Sequence, residues 1–244
     1  MVACEPDSVL EEIIGALRDA LEAFGPYPAG LAGGPDRVAG TAFFPGGDGV
    51  IKPRPPDTIP EILVVGHDFG SLQYLAECVR RGEERLSQPT WRGLLSRVNA
   101  AGIDPMRCLF TNALMGFRSE GRNVGACPAL RDREYLSRCQ ALLLRQIEIV
   151  RPRAIIALGT GVPAMLAAIS ADLAPWSRAA TLAAIDRAGA LVEGARFGEH
   201  RANVGVLTHP SYARLNAGRR RYRSREGIEL RGEAAEVALL RDAA

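Results

Sequence analysis

The stretch Ile62-Leu63-Val64-Val65-Gly66-His67-Asp68-Phe69-Gly70 decides how the chain is read. Four apolar residues, three of them β-branched, make a run too short for a helix and suited to a strand buried on both faces. The run stops at Gly66, and an acid between His67 and Phe69 follows at once. Three later stretches share this form. Cys108-Leu109-Phe110-Thr111 leads into Asn112, and Ala154-Ile155-Ile156-Ala157-Leu158 leads into Gly159-Thr160-Gly161. Val204-Gly205-Val206-Leu207 leads into Thr208-His209-Pro210-Ser211. Helical patterns lie between them, over Tyr74 to Arg85, Trp91 to Ala101, Arg131 to Val150 and Val162 to Ala168. Strands alternating with helices predict a three-layer α/β/α sandwich around a central four-stranded, mainly parallel sheet. Right-handed crossovers place every strand's carboxyl end on one edge, where the sites of open α/β sheets lie.

Outward from this core, Ser8 to Phe24 carries apolar residues at helical spacing, with Asp7 or Ser8 as its N-cap. Gly25 to Pro60 is rich in glycine and proline and reads as an irregular arm, with a short hairpin around Thr41 to Phe44. Residues 1–60 are therefore expected to be a helix and an arm packed on the core, and residues 61–244 the α/β domain. A chain of 244 residues with 47% hydrophobic content suits one such domain.

Composition narrows the function classes. Net charge is only +2, so the overall field is not that of a protein bound to nucleic acid by bulk charge. The distribution differs from the total. Seven arginines (214, 219, 220, 221, 223, 225 and 231) stand between Tyr212 and Arg231 against Glu226 and Glu229. Such clustering steers a phosphate backbone, although a solvated, arginine-coated helix would give the same composition. No apolar run approaches the roughly eighteen residues of a membrane span. Met1 to Asp7 has acids and no basic leader, so no secretory signal is expected. The five cysteines (4, 78, 108, 127 and 139) are scattered, without a C-x-x-C pair. That argues for a reducing, cytoplasmic setting and against a disulfide framework or a zinc or iron–sulfur site.

The residues just beyond the strands carry the chemistry. An acid, an amide and a histidine leave three strand ends as Asp68, Asn112 and His209. This set suits cleavage of a bond whose leaving group is a polar heterocycle. The acid orients water or stabilises a cationic sugar, the amide pairs with a base edge, and the histidine stabilises charge on the departing base. Each has a plainer reading. Asp68 would serve as a helix cap, Asn112 as a turn former, and His209 as a satisfied structural histidine. His67 is placed as well as Asp68 to be the acid–base group. Ser211 is equally suited to bonding within its own loop. Gly159-Thr160-Gly161-Val162-Pro163-Ala164 matches the dinucleotide pattern G-x-G-x-x-A. It follows the third strand rather than the first and lacks the acid about twenty residues on that such sites use. A tight turn before a helix accounts for it.

The order of these motifs resembles the uracil-DNA glycosylase superfamily. The resemblance runs from about Glu61 to Arg223. The resemblance assigns Asp68 to positioning or activating the attacking water, Asn112 to reading the base edge, and His209 to catalysis. Gly66, His67, Phe69 and Gly70 then form the rest of the base pocket, with Phe69 the first choice for stacking on the base. Ser211, Arg214 and Leu215 would meet the DNA, with Arg214 or Leu215 as the wedge, and Arg219, Arg220 and Arg221 would contact phosphates. The implied partner is DNA carrying a deaminated base. The implied protein is a monomer with no metal and no cofactor. Two departures stand out. Phe69 replaces a frequent proline, and Gly70 replaces the tyrosine that crowds out a 5-methyl group in the strict uracil branch. Two other functions are compatible with the chain: a catalytically degenerate member that binds nucleic acid or protein, and a nucleoside or nucleotide hydrolase.

Overall fold

The computed structural model describes residues 9–33, 47–52, 55, 58–120 and 125–244, without the side chains of Ala213 and Arg214. The hairpin expected at Thr41 to Phe44 and the caps Asp7 and Ser8 lie outside the described residues. The strands are β1 (Leu31–Ala32), β2 (Ile62–Gly66), β3 (Cys108–Asn112), β4 (Phe117–Arg118), β5 (Ala154–Leu158), β6 (Leu191–Phe197), β7 (His200–Leu207), β8 (Arg221–Arg223) and β9 (Glu229–Arg231). The α-helices are α1 (Val9–Glu22), α2 (Leu72–Arg81), α3 (Pro89–Ala100), α4 (Arg133–Val150), α5 (Val162–Ala167), α6 (Leu182–Ala188), α7 (Ala213–Asn216) and α8 (Gly232–Ala243).

The central sheet has the order β3-β2-β5-β7-β6. Its first four strands run parallel, and every residue of β2, β3 and β5 is buried. Their unbroken apolar character has this cause: helices cover both faces, so no position faces water. On the helical layers, α1 packs on α4, and α3 packs on α8. Among the described residues, no helix is long and apolar enough to cross a membrane.

The sheet has five strands, not the four expected. The missing one is β6, which pairs antiparallel with β7 at the edge. Its sequence, Leu191-Val192-Glu193-Gly194-Ala195-Arg196-Phe197, is half exposed and interrupted by a register shift between Val192 and Ala195. A bulged edge strand with outward charges has no continuous apolar run to reveal it. The arginine-rich segment is also not a helix over its length. After α7 it forms the β8–β9 hairpin, whose Tyr222 donates to Asp242 of α8 at 2.8 Å.

The segment before the sheet packs against it. Leu31 and Ala32 pair with Arg118 and Phe117. Arg138 of α4 donates to the Pro26 carbonyl at 2.7 Å and lies over the Phe24 ring.

Candidate active site

The parallel register sets the site. Gly66 stands beside Asn112, and Leu158 beside Leu207. Four strand ends therefore line up in the order Asn112, His67–Asp68, Gly159–Gly161, His209. Together with Gly66, Phe69 and Gly70 they line one cleft of about 510 Å³. Tyr74, Glu84, Trp91, Phe117 and Arg118 complete its walls. The sequence-predicted acid, amide and histidine thus meet in a single cavity.

Asn112 closes β3 and is only 4% exposed. It borders the cleft. The space it occupies exists only because residue 66 is glycine. A Cβ there would lie 2.1 Å from the Asn112 Oδ1.

Asp68 is held from several sides. Arg118 donates to Oδ1 at 3.3 Å and to Oδ2 at 3.1 Å, and the Gly70 amide donates to Oδ1 at 3.2 Å. His67 Nδ1 lies 3.0 Å from Oδ2. Burial alone would raise this carboxyl's pKa, but the His67 hydrogen bond and the Arg118 charge outweigh it and lower it. The acid is therefore an anion with its acceptor sites occupied. Arg118 is itself buried and also donates to the Gly125 carbonyl at 2.7 Å. Sequence reading missed Arg118: a lone arginine in a two-residue strand carries no pattern.

His67 sits on a second glycine. A Cβ at Gly161 would come within 2.4 Å of its Cδ2 and 2.8 Å of its Nε2. A Cβ at Gly159, where φ is +83°, would lie 3.1 Å from the His209 Cβ. The G-x-G after β5 thus makes room for the His67 ring and the His209 Cβ, in addition to the turn expected there.

His209 follows β7. The Ser211 amide donates to its Nδ1 at 3.3 Å, so the neutral ring carries its proton on Nε2. Burial lowers its pKa, and the nearby His67 adds to this against the opposing Asp68 charge. The ring is neutral at pH 7 and acts as a hydrogen-bond donor rather than a cation. Its approach is anchored from below. The Thr208 amide donates to Glu236 Oε1 at 2.6 Å, and Glu236 is fully buried. Arg97 and Arg220 neutralise Glu236, with N–O distances of 2.7 and 3.0 Å.

That cluster corrects one sequence expectation. Arg220 is 1% exposed, with its guanidinium committed to Asp186, Glu236 and the Val206 carbonyl. It braces the fold and presents nothing to DNA. Arg219 and Arg221 are exposed, but they line a separate groove beside α6. Ser211 borders the cleft, and its hydroxyl lies 2.5 Å from that of Thr90. Leu215 is 72% exposed on α7. Arg214 lies beside it, its side chain outside the described residues. Phe69 borders the cleft and lies against Phe117 with ring centroids 5.8 Å apart, and Trp91, also on the cleft, edges onto Phe110 at 5.0 Å.

No curated protein matches the chain. A family model described as the uracil DNA glycosylase superfamily matches residues 69–229. Asn112 and His209 lie inside that span, and Asp68 immediately precedes it. The match covers well over half of the chain, and with the α/β fold already described it establishes that this protein belongs to the uracil DNA glycosylase superfamily.

Proposed function

We propose that the protein is a DNA N-glycosylase that hydrolyses the bond between deoxyribose and uracil or a related deaminated base. The observation that carries this reading is the convergence of Asp68, Asn112 and His209 on one cleft at the sheet edge. Reaching that cleft requires the nucleotide to leave the duplex, at a cost of a few kcal/mol for unstacking and unpairing. The exposed Leu215 is suited to fill the vacated stack, as apolar wedges do.

The chemistry follows from the hydrogen-bond directions. When His67 donates its Nδ1–H to Asp68, its Nε2 is left to accept a proton. A water beside it gives up a proton to Nε2 as its oxygen bonds to C1′. The C1′–N bond breaks, and its electron pair leaves with the base. Asp68 remains ionised throughout. It orients His67 and stabilises positive charge on the sugar ring, in the way a buried carboxylate supports a catalytic imidazole. Water is thus activated by His67 backed by the acid. The Asn112 amide pairs with the base edge. The Nε2–H of His209 stabilises the oxygen on which negative charge collects, an interaction stronger in the transition state than before it.

Incubation with oligonucleotides carrying one uracil, followed by alkali, tests the reading. Strand scission by the wild type that is lost in Asp68→Ala and His209→Ala is the expected result. The saturated hydrogen bonding of Asp68 favours one other reading, a member that binds nucleic acid without turnover. Salt-dependent DNA binding with no scission on uracil, hypoxanthine or other deaminated bases would select it.

A further inference from the structure

A second concavity, of about 750 Å³, lies between α6, the start of β6 and the β8–β9 hairpin. It takes no part in the chemistry above. Its place in the fold is defined by the edge strand. Leu191, which lines it, pairs with Gly205 of β7, two residues before that strand ends. The groove therefore opens beside the same sheet edge as the His209 loop, one strand further out.

Its walls are cationic in a specific way. Arg187, Arg219, Arg221, Arg223 and Arg225 line it, against Asp186, Glu193 and Glu229. Two of those three carboxylates are already neutralised. Asp186 is bound by the buried Arg220 and by the Arg221 amide, and Glu193 is paired with Arg225. Among the described residues, Arg187, Arg219, Arg221 and Arg223 form no ion pair with a carboxylate, and all four are exposed. The hairpin explains how the cations are presented. Strand alternation turns Tyr222 and Leu230 toward α8 and leaves Arg221, Arg223 and Arg231 on the outer face. Glu229 is the one groove carboxylate left to oppose them.

We infer that this groove binds the phosphodiester backbone of DNA flanking the nucleotide held in the cleft. Guanidinium forks match phosphate oxygens and stay charged at all relevant pH values. The buried Arg220 holds Asp186 in the groove wall, and among the described residues Arg187 and Arg223 are tied only to the Ala183 and Gly227 carbonyls through Nε, which leaves their terminal nitrogens for the backbone. The inference rests on the reading of the cleft as the pocket for a nucleotide, although the backbone contact itself is sequence-independent and needs no turnover.

Fluorescence anisotropy of the full chain with a long undamaged duplex, across a range of salt, tests the inference. The comparison is between the wild type, Arg187→Gln/Arg223→Gln and Arg187→Lys/Arg223→Lys. Each phosphate contact contributes about 0.9 to the slope of log K against log salt. The glutamine pair should lower the slope by about 1.8 and weaken binding, and the lysine pair should retain most of it. Circular dichroism checks that both variants are folded. An unchanged slope in the glutamine variant, or a wild type whose DNA affinity ignores salt, overturns the inference. Uracil release from a short single-stranded oligonucleotide is measured in parallel and reads the cleft alone. Release with an unchanged slope sinks the groove and spares the glycosylase reading. A lowered slope without release does the opposite.

Discussion

Replacing Gly66 by alanine isolates the role of Asn112 without touching it. Gly66 ends a buried strand, where alanine is conformationally acceptable, so the backbone need not change. The new Cβ would lie 2.1 Å from the Asn112 Oδ1 and 3.2 Å from its Cγ, while the next contact, the Thr111 carbonyl, is an ordinary 3.6 Å away. Favourable non-bonded separations are about 3.5–4.0 Å, so the amide must rotate out of its present orientation. A well-placed bidentate contact to a base edge is worth about 1–3 kcal/mol of discrimination. At about 1.36 kcal/mol per decade, kcat/KM for uracil excision should therefore fall about 5- to 150-fold in Gly66→Ala. Asn112→Ala should cost a similar factor. The double variant should then be little worse than either single one, because both remove the same interaction. The assay is single-turnover release of base from a uracil oligonucleotide, with urea denaturation to confirm that stability changes little. Gly66→Ala at wild-type activity, or a double variant whose losses simply multiply, would refute the assignment of Asn112 as the base reader.

Three further outcomes follow from the geometry. Arg118→Met removes the guanidinium whose charge helps hold the Asp68 carboxyl low, so burial raises that pKa. The ionised Asp68 is present only above its pKa, so the acid limb of kcat/KM should move to higher pH; an unmoved limb would show that Asp68 ionisation does not govern the rate. Gly161→Ala places a methyl 2.4 Å from the His67 Cδ2 and should push the ring off Asp68. Loss of a positioned base costs about 10²–10⁴-fold, so excision should drop by at least about 100-fold with little change in the unfolding midpoint, and near-normal turnover would exclude His67 as the base. Arg220→Met strips a counterion from the buried Asp186 and Glu236. Breaking such a pair costs about 3–5 kcal/mol, which urea unfolding would register; a loss below about 1 kcal/mol would mean that the cluster does not brace the fold.

How much of this was legible in the chain depends on whether a residue's partners are near it in sequence. The four parallel strands were, since continuous burial leaves continuous apolar runs such as Ile62 to Val65 and Ala154 to Leu158. The strand-end residues were legible too, because topology alone sends Asp68, Asn112 and His209 to one edge. The edge strand β6 was not, as its exposed face and bulge break the pattern. His200 opens β7, with its Nε2 2.7 Å from the Pro152 carbonyl. Arg118 carried no pattern, and Arg220 read as a phosphate contact. Their carboxylates lie 50 positions away for Arg118 and, for Arg220, at Asp186 and Glu236, 34 and 16 positions off. No local rule separates a buried, paired arginine from a solvated one. Glycines 159 and 161 read as a tight turn, yet Gly161 has an ordinary φ, as does Gly66 at the end of its strand. Their necessity lies in the side chains across from them.

The buried ion cluster and the His209 loop are mechanically one unit. Glu236 comes from α8, Arg97 from α3, Asp186 from α6, and Arg220 from the turn before the hairpin. Arg97 and Arg220 meet at the Glu236 carboxylate, Asp186 holds Arg220 from its other side, and the Glu236 Oε1 also accepts from the Thr208 amide, one residue before His209. Burying such charges gains little stability over an apolar core. What the cluster adds is position. A short hydrogen bond to a fully buried, twice-paired anion leaves the Thr208 amide little freedom. His209 then has Gly159 at its back and the Ser211 amide on its Nδ1. A ring that must meet charge only as it develops benefits from being fixed beforehand, since reorganisation during the reaction would cost rate. The same cluster fixes the hairpin through Arg220 and its neighbour Arg221, and so sets the arginine groove relative to the cleft. A DNA strand held in that groove is therefore positioned against a frame that also holds His209. Weakening that frame at Glu236 should disturb base excision and backbone binding together, whereas substitutions in either surface alone should separate them.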